Sequence, residues 1–322
     1  MSTELAFPKL GIELHLNRLA FSFGPFNVYW YGIIVVTGIM LGYLYASKRC
    51  NEFGVKKDSL TDYLLLGVVG GILGARIYYV AFKWDYYSQH LNELFAIWKG
   101  GIAIYGGIIG ALIVILLLSH HKKENPLNVT DCCVGGLILG QAIGRWGNFM
   151  NIEAFGSNTD SIFGMTSPAI TTYLTNHMAE LAQDGIIVDP MAPVHPTFFY
   201  ESMWNLAAFI IIALFTKKRT YKGEVTLLYL SLYGAGRSWI EGLRTDSLMW
   251  GPFRVSQVLA MILTVVSVVL LFYMRNKAKK GELKPYFVLD PPIDESKKEE
   301  PKKEETEEAE VKEEASEDKK EE

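Results

Sequence analysis

The chain has 322 residues, of which half are hydrophobic and a fifth charged, with a formal net charge of −4. Residues 281–322 hold a disproportionate share of those charges, so the remainder is more apolar than a soluble domain, and no basic face interleaved with aromatics points to nucleic acid. Three cysteines, Cys50, Cys132 and Cys133, form no CxxC pair and have no histidine at metal-ligand spacing, which argues against a disulfide framework, a metal site or a metal cofactor. The N-terminus also lacks a basic start leading into a short apolar core and a small-residue cleavage site, so no removable signal peptide is expected.

In chain order, the first bilayer-length stretch is Phe26 to Ser47, which carries no Asp, Glu, Lys or Arg. A helix needs roughly 20 apolar residues to cross a bilayer. The second stretch, Tyr63 to Phe82, is long enough but contains Arg76. The third, Gly100 to His121, is uncharged. The fourth, Val129 to Asn148, contains Arg145; the fifth, Thr197 to Thr216, contains Glu201; and the sixth, Val225 to Leu243, contains Arg237 and Glu241. The last, Val255 to Met274, is again uncharged. These patterns predict an all-α integral membrane protein of about seven transmembrane helices. Charge inside a membrane is costly, so the interrupted spans point to a bundle interior or a wet cavity.

Basic residues set the expected orientation. Lys48, Arg49, Lys56 and Lys57 follow the first span, Lys122 and Lys123 the third, Lys217, Lys218, Arg219 and Lys222 the fifth, and Arg275, Lys277, Lys279 and Lys280 the last. Lys and Arg accumulate in short cytoplasmic loops, which places the N-terminus outside and the C-terminus in the cytoplasm. With that direction, Tyr31, Arg76, Tyr105, Arg145, Glu201, Arg237 and Glu241 all fall in the outward half of the bilayer. A polar cavity opening to the outer leaflet is the simplest account.

Spacing adds detail. Tyr233, Arg237, Glu241 and Arg244 fall at i, i+4, i+8 and i+11 on one face of the sixth span, and Gln141, Arg145 and Asn148 form a similar stripe on the fourth. Glycines at 70, 71 and 74, at 106, 107 and 110, and at 135, 136, 140 and 144 allow close helix approach. Residues 149–196 are too polar to span and are expected to form a small extracytoplasmic head. Residues 1–280 would constitute the membrane catalytic domain, and the Lys/Glu-rich residues 281–322 a disordered cytoplasmic tail.

Several of these groups also have structural readings. Arg244 and Arg254 could snorkel to headgroups, and Arg76 could pair with Glu241 or Glu153. Glu201 and Glu241 read first as carboxylates that orient arginines by bidentate bonds, and second as bases. His195, next to Pro196 at a membrane entry, titrates in a useful range. Trp30, Trp84, Trp98, Trp146 and Trp250 lie where interfacial aromatic belts are expected.

Together the motifs resemble the prolipoprotein diacylglyceryl transferase family, over about residues 20 to 275. The resemblance rests on Trp30-Tyr31-Gly32, GGILGARIYYV from Gly70, IYGGIIGA from Ile104, GRWGNFMNIEAFG from Gly144, HPTFFYE from His195 and YGAGRSWIEGLRTD from Tyr233. It implies a bacterial plasma-membrane enzyme without cofactor that takes phosphatidylglycerol and a prolipoprotein signal peptide bearing a lipobox cysteine. The implied reaction is attack of the cysteine sulfur on the glyceryl carbon next to phosphate, which forms a thioether and releases glycerol 1-phosphate. By position, the phosphatidylglycerol signature falls on Gly144 to Gly156, with Arg145, Asn148, Glu153 and Gly156 as its polar and turn elements. The second arginine is Arg237, with Tyr233, Glu241 and Arg244 following, and Tyr31 also matches. Where many family members carry histidine before the Gly-Gly of the third span, this chain has Tyr105. The base is left open among His195, Tyr105, Glu241 and the phosphate. A transporter, which typically shows repeats or broken helices around a midplane site, and a non-catalytic phospholipid-binding protein are the alternative classes.

Overall fold

A computed structural model describes residues 2–283. The chain opens with two β-hairpins, β1 (Ser2–Phe7) with β2 (Ile12–Asn17), and β3 (Leu19–Phe23) with β4 (Phe26–Tyr29). There follow α1 (Trp30–Arg49), α2 (Lys57–Phe82), the single turn α3 (Trp84–Tyr87), α4 (Ile104–Lys122), α5 (Pro126–Asn151), α6 (Pro168–Gln183), α7 (Thr197–Phe215) and α8 (Glu224–Leu243). A two-residue hairpin, β5 (Met249–Trp250) with β6 (Phe253–Arg254), leads into α9 (Val255–Lys279). Among the described residues, six helices are long and apolar enough to cross a membrane: α1, α2, α4, α5, α7 and α9.

The fold is therefore mostly helical with small sheets, and three expectations change. The strands mean that the chain is not all-α. The first span begins at Trp30, because Phe26–Tyr29 pairs as β4 with register Phe23↔Phe26 and Phe21↔Val28. The head is not built from residues 149–196 alone. Leu5 of β1 is buried in its core with Ile170, Leu174 and Val194, and the backbones of Ala6 and Thr166 exchange hydrogen bonds of 2.9 and 2.8 Å. The expected tail lies outside the described residues, apart from its first three.

Two glycine seams set the bundle. Gly38 and Gly42 of α1 cross Gly140 and Gly136 of α5, and a Cβ built on Gly42 would stand 2.5 Å from the Gly136 carbonyl oxygen. Gly70 and Gly74 of α2 cross Gly110 and Gly106 of α4, where a Cβ on Gly74 would stand 2.9 Å from Gly110 Cα. Both crossings are antiparallel, as alternate helix directions require. Without a hydrophobic force between helices in lipid, this backbone approach supplies the dispersion contact. Gly42→Val should therefore lower stability by about 1–3 kcal/mol, as overpacking does, whereas Gly67→Val, with nothing within 4 Å, should not. Thermal melting of the two variants in detergent tests this, and equal melting would show that the seam is not tight.

Local chemistry fixes the helix ends that carry the site. Pro126 starts α5, and the Asn125 side chain accepts from Leu127 N at 2.9 Å. The same helix ends at Ile152, which takes the left-handed conformation at φ 52°. Asp131, buried in α5, accepts from Gly223 N and Thr226 N, both at 2.8 Å, and so caps the start of α8. This cross-helix cap locks α5 to α8 two or three turns from their polar stripes.

Candidate active site

Three helices place four charged side chains together. Glu201, in the second turn of α7, is buried, with a side chain 3% exposed. Its Oε1 lies 2.8 Å from Arg145 Nη2 of α5, and its Oε2 accepts from Arg237 Nη1 of α8 at 3.3 Å. Arg237 Nη2 lies 2.6 Å from Glu241 Oε2, one turn along α8. Two guanidiniums thus converge on one buried carboxylate, with a second carboxylate behind Arg237. The quartet is formally neutral, and this balance is what makes two buried carboxylates beside two half-buried guanidiniums tolerable.

The quartet extends outward through amides. Arg145 Nη1 reaches Asn148 Oδ1 at 3.4 Å, and Asn148 Nδ2 donates to Glu153 Oε1 at 2.8 Å. Asn151 Nδ2 also donates to Glu153 Oε1, at 3.3 Å. Tyr233 lies within the field of Glu201, Arg237, Arg145 and Glu241, and its ring stacks on Tyr229 at 5.7 Å. The α5 and α8 stripes read from the sequence therefore meet across α7. Glu201 and Glu241 contact the arginines, but not by the bidentate bonds expected: Glu201 gives one oxygen to each arginine and Glu241 makes a single contact.

The other predicted residues stand apart. Arg244 lies just beyond α8, in extended conformation at ψ 149°, so it is not on the helix stripe. Its Nε and Nη2 grip Asp246 at 2.8 and 2.7 Å. Burial alone would raise the Asp246 pKa, but this bidentate pairing outweighs it and holds the carboxyl below its ordinary value. Arg76 pairs with neither Glu241 nor Glu153. It donates to the carbonyls of Glu93, Leu94, Gly100 and Gly101 at 2.6–3.0 Å and lies over the Tyr87 ring, so it organises the 83–103 connection. Glycine is required opposite it, since Gly101 has φ 75° and a Cβ there would meet Arg76 Nη1 at 2.7 Å.

Gly156 is a crossing point. Its N–H donates to the His195 carbonyl at 2.8 Å, and a Cβ would meet Leu243 O at 2.7 Å and His195 Cβ at 2.8 Å. His195 Nδ1 lies 3.3 Å from the Tyr200 hydroxyl, and burial lowers its pKa, which favours the neutral ring. Tyr31 of α1 packs on Gly147 of α5, where a Cβ would meet its ring at 2.8 Å. Arg18 was not read as a site residue. It precedes β3, and its Nη2 donates to the Asn151 carbonyl at 2.6 Å, which ties the β3–β4 hairpin to the end of α5. Its sequence signal is weak, since it is one of two cations, with Lys9, before the first span.

Tyr105 is held elsewhere. Its hydroxyl and that of Ser256, at the start of α9, lie 3.1 Å apart. A neutral hydrogen bond of this kind contributes about 0.5–1.5 kcal/mol. Tyr105→Phe should therefore melt slightly lower and keep its turnover, and Tyr105→His should also remain active. A folded but inactive Tyr105→Phe, in a thioether assay with a melting control, would assign the hydroxyl to the chemistry instead.

Comparison with known proteins places this arrangement. The prolipoprotein diacylglyceryl transferase family profile matches residues 18–273. A phosphatidylglycerol–prolipoprotein diacylglyceryl transferase of Limosilactobacillus reuteri is 42% identical over 269 residues, covering 83% of this chain and 94% of the relative. Relatives of the same name from Listeria welshimeri and Bacillus cereus are 40% identical over 275 residues and 41% over 267, covering 85% and 83% of this chain and 94% and 95% of their own. The charged quartet and the glycine seams lie within the matched region, and the chain belongs to the prolipoprotein diacylglyceryl transferase family.

Proposed function

We propose that the quartet binds the phosphate of phosphatidylglycerol and that the chain transfers its diacylglyceryl group to the lipobox cysteine of a prolipoprotein. The observation that carries this reading is the convergence of Arg145 and Arg237 on Glu201. Glu201 fixes the inner edge of both forks, and the remaining N–H groups can face a phosphate as paired donors. The sulfur attacks the glyceryl carbon bonded to the phosphate ester oxygen. As the S–C bond forms, the C–O bond breaks, and glycerol 1-phosphate leaves with the bonding pair. Charge grows on that leaving group, and preorganised guanidiniums stabilise it better than water. Guanidinium N–H groups turned toward the substrate also favour the thiolate.

Glu241 is engaged as a counterion at 2.6 Å, so His195, neutral by burial, and the substrate phosphate are the better proton acceptors. An apolar cavity of about 470 Å³ between α1, α2, α4 and α5 offers room for an acyl chain. Its wall includes Gln141 and Gly144, within a turn or so of Arg145.

We place α8 as a seventh span. It is a 20-residue helix between α7 and α9, and its charged residues face the quartet. The basic clusters put the N-terminus and the head outside a bacterial cytoplasmic membrane, so the site faces the outer leaflet. The test is release of glycerol 1-phosphate from phosphatidylglycerol when a peptide with a lipobox-type cysteine is supplied. Release with the cysteine peptide and none with its serine counterpart is expected. No release by well-folded protein would leave only a lipid-binding role.

A further inference from the structure

The two substrates differ in shape, and α1 has two different concave sides. The apolar cavity touches Val35, Gly38, Ile39 and Gly42. A groove of about 860 Å³ touches Gly32, Ile33, Val36 and Thr37 instead. At 100° per residue these sets are centred on different faces of the helix. The two spaces approach α5 at different heights, the cavity at Gln141 and Gly144 and the groove at Asn151 and Glu153. Arg145 lies between those heights, joined to the groove by the Asn148–Glu153 hydrogen bond.

The groove is also graded along its length. On the membrane side its wall is Ile33 and Val36, and the exposed Met40 and Leu44 follow Val36 at i+4 and i+8 on the same helix. At the other end it is polar, with Arg18, Asn27, Asn151 and Glu153. Its rim there is β4, which among the described residues pairs with β3 alone, so that its other edge has no strand partner. A signal peptide carries an apolar segment that ends in small residues at its processing site, and the apolar segment matches the membrane side of this groove.

We propose that this groove, between β4, the first turns of α1 and the end of α5, is the docking site of the peptide substrate. The inference rests on the functional reading above and adds the path of the second substrate. The apolar segment lies along α1, and the chain around the cysteine runs extended past Tyr31, beside β4. Its sulfur then approaches the quartet from the Glu153 side, while lipid enters from the apolar cavity. Arg18, bonded to Asn151, fixes the hairpin that forms the rim.

The experiment uses the full chain in nanodiscs of phosphatidylglycerol and a biotinylated lipobox peptide with serine in place of its cysteine. Benzoylphenylalanine is placed at Val36, at Asn27 and, as a control, at Leu65 on the exposed face of α2. Irradiation should give peptide adducts at Val36 and Asn27, suppressed by excess unlabelled peptide, and none at Leu65. Phospholipid adducts alone at Val36 and Asn27, or equal peptide labelling at Leu65, would overturn the assignment. In parallel, Val36→Trp and Asn27→Trp should raise KM for the cysteine peptide about tenfold, with kcat and the KM for phosphatidylglycerol unchanged. Unchanged peptide KM in both variants would also overturn it. If the parent protein turns over the cysteine peptide while the groove fails to label, only the groove assignment falls. If the parent does not turn it over, the functional reading itself falls.

Discussion

Alanine at Arg145 or Arg237 will lower thioether formation by about 10²–10³, the usual cost of removing one donor that stabilises a developing oxyanion. The geometry makes the two losses comparable, because both guanidiniums are anchored on the same carboxylate, Arg145 at 2.8 Å and Arg237 at 3.3 Å. Lysine will not rescue either position. Its ammonium is a point charge and cannot hold Glu201 and a phosphate oxygen with one planar fork. Arg145→Lys should also lose the contact to Asn148, which links the quartet to Glu153. Arg237→Lys should leave one ammonium to serve both Glu201 and Glu241, which the two ends of the guanidinium now hold separately. The measurement is turnover by purified variants whose melting has been checked. Near-parental turnover in a well-folded Arg145→Ala or Arg237→Ala would remove that residue from the site.

Most of this arrangement is visible in the sequence because a membrane penalises polar groups so heavily. Arg145, Glu201, Arg237 and Glu241 stand out as costly residues in apolar stretches, and helical spacing brings Arg237 and Glu241 one turn apart. The glycines of α2, α4 and α5 are equally legible, and so is the Gly38-x-x-x-Gly42 pattern of α1, but its pairing with Gly136 and Gly140 is visible only in the packed bundle. Arg76 shows where the same reasoning fails. Cost alone cannot distinguish a cation facing substrate from one that satisfies four carbonyls of a neighbouring connection.

The N-terminal hairpins fail for a different reason. Ile12 to Asn17 alternates apolar and polar residues, and Gly11 and Gly24 supply the positive φ their turns need, at 64° and 58°. Phe26 to Tyr29 also lacks charge, however, so a length criterion absorbs it into the first span. Pairing with β3 decides the boundary, and no single-strand signal reports that pairing. The same limit hides Arg18, whose role depends on a carbonyl 133 positions away.

The largest effect on the folded state is expected at Glu201. With the carboxylate removed, as in Glu201→Ala, two guanidiniums from α5 and α8 face a buried gap with only Glu241 to balance them. Breaking a buried ion pair from one side costs about 3–5 kcal/mol, since the remaining charge is left uncompensated. Glu201→Gln is the sharper probe. It keeps the volume and one acceptor but turns an N–H donor toward a guanidinium, so it should melt below the parent and lose turnover. An anion that binds between the two forks should then restore part of what the carboxylate supplied. Phosphatidylglycerol is expected to raise the melting temperature of Glu201→Gln more than that of the parent, because ligand that binds only the folded state stabilises in proportion to ln(1 + [L]/Kd). Zwitterionic phosphatidylcholine at the same concentration serves as the comparison. Equal shifts with both lipids would show that the forks do not read the anionic headgroup. Parental melting and turnover in Glu201→Gln would show that this carboxylate is not what holds Arg145 and Arg237 together.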